Sequence, residues 1–236
     1  MLKGLCWNVC GLHDQRKETV RTYILEHHID ICCLQETKLE FVSPGALRAI
    51  GGGRLLDLRV LPTVGASGGI IVAWNSLTWR CTVECIGSFS VLVRLEDLAT
   101  GWTWACSGVY GPHDEPSRAA MWAELSEVKR AWGIPWCCMG DFNVTRWEED
   151  RNRSGGISSD MRLFSDWIGE QGLIDLPISQ AFTWSSLRAD ASLARLDRVL
   201  VDIEWEDSFP SCSLRCLPRV ISDHCPILLL IGGSAR

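Results

Sequence analysis

Short apolar runs bounded by turn residues dominate the chain, and most of them have the length of β-strands. Residues 2–9 and 30–35 are short, mainly apolar segments, which are typical of buried strands. Residues 78–109 contain several short runs separated by turns, as in antiparallel hairpins. The predicted strands cover residues 2–9, 30–35, 54–60, 69–74, 79–86, 90–96, 102–109, 136–139, 196–201 and 226–231.

Three amphipathic stretches, residues 14–28, 116–131 and 160–170, predict helices because their apolar residues recur at helical spacing. Together with the strands they predict one α/β domain over residues 1–236, with hairpins in its sheets and helices outside. Glycine-rich residues 51–53 and 65–69 lack the P-loop lysine and the strand–glycine–helix context of a dinucleotide site, so they are interpreted as turns. The positions at helical spacing are Val20, Ile24 and His27; Met121, Leu125 and Val128; and Met161, Phe164 and Ile168.

Composition narrows the class of protein. The 236 residues are 47% hydrophobic and 22% charged, which is typical of a globular protein. The net charge of −6 argues against a protein that holds nucleic acid by bulk positive charge. No apolar run approaches the roughly 20 residues of a membrane span, so no membrane partner is expected. No secretory signal precedes the first predicted strand, and we expect a protein that is not secreted.

The chain contains 12 cysteines, which raises the question of a disulfide framework. Several lie inside apolar runs, such as Cys32 and Cys33 or Cys137 and Cys138, where they resemble small buried hydrophobic residues. The sequence contains no C-x-x-C pair, so a structural zinc site is not indicated either. We therefore predict reduced cysteines that bind no metal.

Polar residues occur repeatedly at the ends of strongly apolar strands, where a rigid strand aims a side chain and a loop exposes it. Each one alone also has a structural explanation, such as a turn cap or a hydrogen-bonded core histidine. Together they combine carboxylates that suit Mg²⁺ or Mn²⁺, a histidine, carboxamides and a phenol, which are the groups used in phosphate ester hydrolysis. The residues are Asn8; Gln35 and Glu36; Tyr110; Asp141 and Asn143; Asp197; and Ser222, Asp223 and His224.

These segments resemble the ordered motifs of the endonuclease/exonuclease/phosphatase superfamily. All six occur in the family's order and span residues 6–226, nearly the whole chain. The matching segments are Cys6-Trp7-Asn8, Leu34-Gln35-Glu36-Thr37, Val109-Tyr110-Gly111-Pro112, Gly140-Asp141-Phe142-Asn143, Leu196-Asp197-Arg198 and Ser222-Asp223-His224-Cys225-Pro226.

Within the superfamily the chain most resembles the endonuclease domain of plant LINE-type (non-LTR) retrotransposons, and it is related to apurinic/apyrimidinic endonucleases. The resemblance implies a DNase I-like, four-layer α/β sandwich of two packed mixed β sheets flanked by helices. It places the site at one end of the sandwich. The stretches that carry it are Ser67-Gly68-Gly69-Ile70, Val109-Tyr110-Gly111-Pro112-His113, Phe182-Thr183-Trp184-Ser185, Ser192-Leu193-Ala194-Arg195-Leu196-Asp197-Arg198 and Leu217-Pro218-Arg219.

The resemblance also implies catalytic and metal-binding roles. Glu36 is the expected Mg²⁺ ligand, with Mn²⁺ as an alternative ion, and Asn8 lies beside it. Asp141 is expected to orient or deprotonate the attacking water, and Asn143 to hold the scissile phosphate. His224 is expected to stabilise the charge of the transition state.

Further residues are given supporting roles by the same resemblance. Asp197 is expected to pair with the histidine, and Asp223 to support the metal or the histidine from behind. Tyr110 is expected to donate to the phosphate. Thr183 and Ser222 are expected to contact the DNA backbone.

The implied reaction is metal-dependent hydrolysis of a DNA phosphodiester that leaves a 3′-hydroxyl, which primes reverse transcription in the family. The implied partners are DNA and a reverse transcriptase domain in a longer parent polyprotein, with the domain itself a monomer. The location is nuclear by resemblance and otherwise cytoplasmic. Two alternatives stay open: a phosphoesterase of the same fold acting on abasic DNA, an inositol phosphate or poly(A), and an inactive transposon-derived relic.

One cysteine departs from the family pattern, and several tryptophans and arginines have two possible interpretations. Cys10 stands where related plant elements commonly have arginine and repair endonucleases have aspartate; it is interpreted either as transposon decay or as a tolerated change. Trp147 and Trp184 are candidates for base stacking or for ordinary packing. Six arginines form either a cationic rim for DNA or solvated pairs with Glu148, Glu149 and Asp150: Arg146, Arg151, Arg153, Arg188, Arg195 and Arg198.

Overall fold

Two six-stranded mixed sheets form the centre of the computed structural model, which describes residues 2–63 and 68–232. Ser67 and the glycine-rich turn predicted around it therefore lie partly outside the described residues. The strands are β1 (Leu2–Asn8), β2 (Ile31–Gln35), β3 (Asp57–Leu61), β4 (Ile70–Trp74), β5 (Trp79–Ile86), β6 (Ser90–Asp97), β7 (Thr103–Tyr110), β8 (Trp136–Asp141), β9 (Leu173–Asp175), β10 (Trp184–Ser185), β11 (Leu193–Ala194), β12 (Asp197–Asp202), β13 (Ser211–Cys216) and β14 (Ile227–Gly232).

The strand order explains how the sheets are built. The first sheet has the order β13-β14-β1-β2-β4-β3, and the second has the order β5-β6-β7-β8-β12-β9. Each sheet holds one parallel pair, β1 with β2 and β7 with β8, while the neighbouring strands run antiparallel. The antiparallel hairpins predicted over residues 78–109 are confirmed as β5, β6 and β7.

The described residues form five α-helices: α1 (Asp14–Glu26), α2 (Pro44–Gly51), α3 (Glu115–Trp132), α4 (Ser159–Glu170) and α5 (Ile203–Ser208). The first four pack on the outer faces of the sheets, whereas α5 places Trp205 in the core between them. The apolar pattern did not predict α2, which begins where the Ser43 hydroxyl accepts a hydrogen bond from the Ala46 amide at 3.1 Å and Pro44 starts the first turn. The helix α5 and the strands β9, β10, β11 and β13 were not predicted either. No helix in the described ranges is both long and apolar enough to cross a membrane.

Three hydrophobic layers hold the elements together. The widest lies between the sheets and contains Trp74 and Cys33 from the first sheet and Trp104 and Met139 from the second. A second layer packs α1 and α2 on the outer face of the first sheet, and a third packs α3 and α4 on the second. The four-layer α/β sandwich implied by the resemblance is confirmed. All twelve cysteines are free thiols, and seven of them are buried.

Gly108 lies where the two sheets approach each other closely. A Cβ atom at this position would lie 2.6 Å from Val72 Cγ2 and closer still to Cys33 Sγ, both on the opposite sheet. We expect Gly108→Ala to lower the free energy of unfolding by about 1–3 kcal/mol through overpacking, measured by urea denaturation. Gly169→Ala is the matched control: its Cβ would meet no atom within 4 Å, and a better helix former should be neutral or slightly stabilising. Equal stability of Gly108→Ala and the wild type would contradict this packing.

Candidate active site

Strand topology brings the polar strand ends together. The carboxyl ends of parallel strands meet at one edge of a sheet, so Asn8 at the end of β1 lies beside the end of β2. In the second sheet Tyr110 pairs with Asp141 at the ends of β7 and β8. The antiparallel strand β12 begins at the same edge, where Asp197 pairs with Asp141, and His224 comes just before β14. Residues distant in sequence therefore converge at one end of the sandwich.

Asn8 joins the two sheets at this end. Its Nδ2 donates to Glu36 Oε1 at 3.0 Å and to Asp141 Oδ2 at 2.9 Å, and its side chain is buried. Its Oδ1 accepts from the Cys10 amide at 3.1 Å. The amide nitrogen, rather than the oxygen, thus faces the Glu36 carboxylate, so Asn8 bridges the expected metal ligand and the expected base.

A buried row of alternating charges lies next to that bridge. His224 Nδ1 is 2.8 Å from Asp197 Oδ2, and His224 Nε2 is 3.6 Å from Asp141 Oδ2. All three residues are at least 96% buried. Burial alone would lower the pKa of His224, but the carboxylates of Asp197 and Asp141 outweigh it and raise the pKa to about 10. The imidazole therefore carries a proton at neutral pH.

Asp141 is set up as a proton acceptor. Burial raises its pKa, and the nearby His224 charge only partly offsets this, so the pKa rises to about 6. Its Oδ1 accepts from the Asn143 amide at 2.9 Å. Asn143 adopts a left-handed backbone with φ 51° and donates through Nδ2 to the Gly111 carbonyl at 2.7 Å. A carboxylate with a pKa just below neutrality suits proton abstraction from water.

Glu36 is the more open carboxylate of the site, with 19% of its side chain exposed. Tyr110 donates to Glu36 Oε1 at 2.9 Å, and burial followed by the Glu36 charge raises the pKa of the Tyr110 phenol, which stays protonated. Lys38 Nζ lies 3.7 Å from Glu36 Oε2. The backbone of Glu36 is left-handed, with φ 49°, and turns the side chain off the end of β2.

Cys10 lies beside Asp223 at the margin of the site. Its thiol donates to Asp223 Oδ1 at 2.8 Å, and Trp184 Nε1 donates to Asp223 Oδ2 at 2.8 Å. Burial opposes ionisation of Asp223, but these two hydrogen bonds outweigh it and lower the pKa of the carboxyl. Burial and the hydrogen bond to Asp223 raise the pKa of the Cys10 thiol to about 11, so it brings no negative charge to the site. This hydrogen bond holds the Trp184 ring in place, whereas the Trp147 side chain is 47% exposed.

The hydroxyls of Thr183 and Ser222 lie behind the site. Thr183 is fully buried, and its Oγ1 accepts from the amides of Leu196 and Asp197 at 3.1 Å each. Ser222 Oγ donates to the Asn8 carbonyl at 2.7 Å and accepts from the His224 amide at 3.1 Å. Both hydroxyls thus hold the backbone of residues that face the site.

Most of the arginines that were expected to form a cationic rim for DNA instead form ion pairs with carboxylates of this chain. Arg198 is completely buried and pairs with Asp150 and, at 2.5 Å, with Asp175. Arg195 pairs with Asp175 at 2.8 Å, and Arg146 Nη1 lies 3.7 Å from the same residue. The expected pairing of Arg198 with Asp150 is present, although it is buried rather than solvated. The partner that the sequence did not indicate is Asp175 of β9, which all three arginines share. Arg153 does form a solvated pair, with Asp190 at 2.7 Å, and Arg188 is exposed.

Arg118, a buried residue in the first turn of α3, supports the site although no motif of the sequence indicated it. Its Nη2 donates to the carbonyls of His113 at 2.7 Å and Asn143 at 3.3 Å, and its Nη1 pairs with Asp160 at 2.5 Å. It therefore joins the loop after Tyr110 to the loop that carries Asn143. The sequence offered no signal beyond a polar position in a predicted helix.

Two groups of side chains have the chemistry to hold a divalent cation. Ligand atoms of Asp141, Asp197 and His224 lie within 4.8 Å of one another, but the proton on the imidazole already balances charge there. Glu36 offers an accessible carboxylate oxygen with Asn8 and Tyr110 as its hydrogen-bond partners. Hard oxygen donors of this kind suit Mg²⁺ or Mn²⁺.

The charge state of His224 can be measured directly. We expect the wild-type imidazole to titrate near pH 10 in ¹H–¹⁵N NMR spectra, and Asp197→Asn to lower its pKa substantially. The folded protein holds this proton more tightly than an unfolded chain, whose ordinary histidine pKa is 6.5. The histidine's contribution to stability is therefore complete below that value and is lost as the pH rises through 10. Asp190→Asn serves as a control at an exposed aspartate; a wild-type pKa below 7 would contradict the charged row.

Similarity to known proteins agrees with this geometry. The model of the endonuclease/exonuclease/phosphatase family matches residues 5–224. An exodeoxyribonuclease of Bacillus subtilis (strain 168) is 24% identical over 271 residues, covering 98% of this chain and 100% of that protein. The endonuclease domain of TRAS1, a telomere-specific non-LTR retrotransposon, has the same fold, with a TM-score of 0.75, 16% identity and 98% coverage of both chains. The AP endonuclease LMAP from Leishmania major has a TM-score of 0.73 at 20% identity, over 97% of this chain and 86% of its own.

The family match covers nearly the entire chain and includes every strand end that meets at the site. Members of this family are nucleases and phosphatases, which hydrolyse phosphate esters. On these grounds the chain belongs to the endonuclease/exonuclease/phosphatase family.

Proposed function

We propose that the chain is a Mg²⁺-dependent endonuclease that hydrolyses a DNA phosphodiester and leaves a 3′-hydroxyl, as LINE-type retrotransposons require for target-primed reverse transcription. The observation that carries this proposal is the connected row of Glu36, Asn8, Asp141, His224 and Asp197 at one end of the sandwich. It places an accessible carboxylate, a proton acceptor and a protonated imidazole side by side. A metal ligand, a general base and a positive charge at the phosphate each accelerate the hydrolysis of a phosphodiester.

Asp141 acts as the base in this proposal. Its raised pKa of about 6 leaves it ionised at neutral pH but able to accept a proton from an attacking water. The Asn143 amide and the Asn8 side chain hold its two oxygens in place, so the carboxylate does not need to reorganise. Asn143 is positioned next to it, and we assign its side chain to the scissile phosphate.

His224 supplies positive charge to the phosphoryl oxygens as negative charge develops on them. It is already protonated at neutral pH, and its bond to Asp197 fixes the ring orientation. Thr183 and Ser222 hold the backbones of Asp197 and His224, so we assign them as positioning residues for this pair. The charge is thus in place before the substrate binds.

Glu36 is the proposed Mg²⁺ ligand, with Mn²⁺ as an alternative ion. The donor set fits: Glu36 offers a partly exposed carboxylate, while the protonated Cys10 brings no competing thiolate. When bound, the cation neutralises charge on the phosphate and the departing oxygen. Tyr110 and Asn8 orient the Glu36 carboxylate, and Asp223 supports the position from the Cys10 side.

The choice of a LINE-type substrate rests on sequence stretches and not on the site chemistry. Residues 109–113, 182–185 and 192–198 resemble plant LINE endonuclease domains, and the fold resembles the TRAS1 domain. The proposed partners are therefore DNA and a reverse transcriptase domain in a longer polyprotein, acting in the nucleus. The rival function is a phosphoesterase of the same fold, because the family also includes phosphatases.

Plasmid nicking tests the proposal. Supercoiled plasmid incubated with the wild type and Mg²⁺ should become nicked. Glu36→Ala and His224→Ala should each reduce the rate on the order of 10²-fold or more, because each removes a charge that acts on the phosphate. Glu127→Gln, at an exposed position of α3, is the matched control and should nick at the wild-type rate. Absence of nicking by the wild type, or nicking that survives both alanine substitutions, would refute the proposal.

The same variants are also tested on the substrates of the rival function. An abasic oligonucleotide and an inositol polyphosphate are incubated with the same variants and the same Mg²⁺ concentration. The endonuclease proposal expects undamaged DNA to be cut at least as fast as either. Hydrolysis of only one of these two substrates would assign the site to the rival function.

A further inference from the structure

A cavity beside the His224 loop contains two arginines that the catalytic row does not use. It is about 440 Å³ in volume and lies between the loop after β1, the start of α1 and the loop before β14. Its polar walls are formed by Cys10, Arg16, Arg219, Ser222 and Asp223. Since Ser222 and Asp223 immediately precede His224, this cavity adjoins the proposed phosphate position.

We propose that this cavity, lined by Arg16 and Arg219, binds a DNA backbone phosphate that flanks the scissile one. The proposal rests on the proposed function for the position of the scissile phosphate at His224. The ligand chemistry is a phosphodiester anion in a continuous strand. The site is distinct from the catalytic row, because neither guanidinium has a described hydrogen bond to Glu36, Asp141 or His224.

Arg16 is anchored but not neutralised. Its Nη1 donates to the carbonyls of Val9 at 2.6 Å and Cys10 at 2.5 Å, at the end of β1. These carbonyls fix the guanidinium in position without cancelling its charge. A fixed, planar guanidinium is well suited to bind a phosphate oxygen pair.

Arg219 also lines the cavity. Its Nη2 donates to Cys225 Sγ at 3.6 Å, and its buried Nε has no hydrogen-bond partner among the described residues. Within the described ranges no carboxylate forms an ion pair with Arg16 or Arg219. This separates them from Arg146, Arg195 and Arg198, each of which pairs with Asp175, and Arg198 also with Asp150.

The acidic residue of the cavity is already engaged. Both oxygens of Asp223 accept hydrogen bonds, from the Cys10 thiol and from Trp184 Nε1. Among the residues that line the cavity, two guanidinium groups therefore accompany one carboxylate, a balance that favours an anion there. In a chain with a net charge of −6, such a local excess of positive charge marks a path for the DNA backbone.

The test measures DNA binding without cleavage. A fluorescent DNA duplex is titrated in EDTA with the wild type, Arg219→Gln and Arg16→Gln at several KCl concentrations. Loss of one phosphate contact should reduce the slope of log K against log [KCl] by about 0.9. Arg215→Gln, at an exposed position of β13, is the matched control and should keep the wild-type slope. Thermal unfolding of each variant checks that the fold is retained.

A second arm identifies the phosphate that is bound. In a series of duplexes, one phosphate at a time is replaced by a neutral methylphosphonate. For the wild type, one replacement next to the cut position should weaken binding several-fold, and that effect should disappear in Arg219→Gln. A methylphosphonate effect of equal size in both proteins, or unchanged salt slopes in both arginine variants, would overturn the subsite. So would an equal loss of slope in Arg215→Gln.

The two proposals fail separately. Wild-type protein that nicks plasmid but shows no arginine-dependent slope refutes the subsite and leaves the endonuclease function intact. Arginine-dependent binding without Mg²⁺-dependent nicking supports the subsite and refutes the proposed reaction. Failure of the wild type to bind DNA in EDTA refutes the subsite.

Discussion

A protonated imidazole between two buried carboxylates determines how the active end of this protein is built. His224 lies between Asp197 and Asp141, and all three are removed from solvent. Two carboxylates in this position would repel each other and resist burial, so each depends on the positive charge between them. Asn8 extends the row across the sandwich to Glu36, which couples the ends of the two sheets.

The surrounding structure holds this row in place through buried hydrogen bonds. Thr183 and Ser222 fix the backbones on either side of the histidine, and Arg118 joins the loops that follow Tyr110 and Asp141. Arg198, next to Asp197 in the chain, is buried with Asp150 and Asp175 as partners. Groups held by such contacts keep their geometry before substrate binds, which is the condition for electrostatic catalysis. The charged groups of this end that solvent can reach are the Glu36 carboxylate and the guanidinium groups of Arg16 and Arg219 in the adjoining cavity.

Sequence patterns predicted the sheets and the convergence of the site more fully than its supporting contacts. Apolar runs locate the central strands because those strands are buried on both faces. The edge strand β13 was missed because Ser211, Ser213 and Arg215 face outward and weaken the apolar signal. The burial of Arg198 and the positions of Thr183 and Ser222 depend on partners far away in the chain, such as Asp175 from β9. Local patterns carry no information about such partners.

The position of a bound cation tests the central claim most directly. Crystals of the protein soaked in MnCl₂ can be measured at the manganese absorption edge, so that anomalous scattering locates the metal independently of activity. A charged His224 leaves no room for a second positive charge between Asp141 and Asp197. We therefore expect a manganese peak at the Glu36 carboxylate and none within the buried row. A peak coordinated by Asp141, Asp197 and His224 would contradict the account.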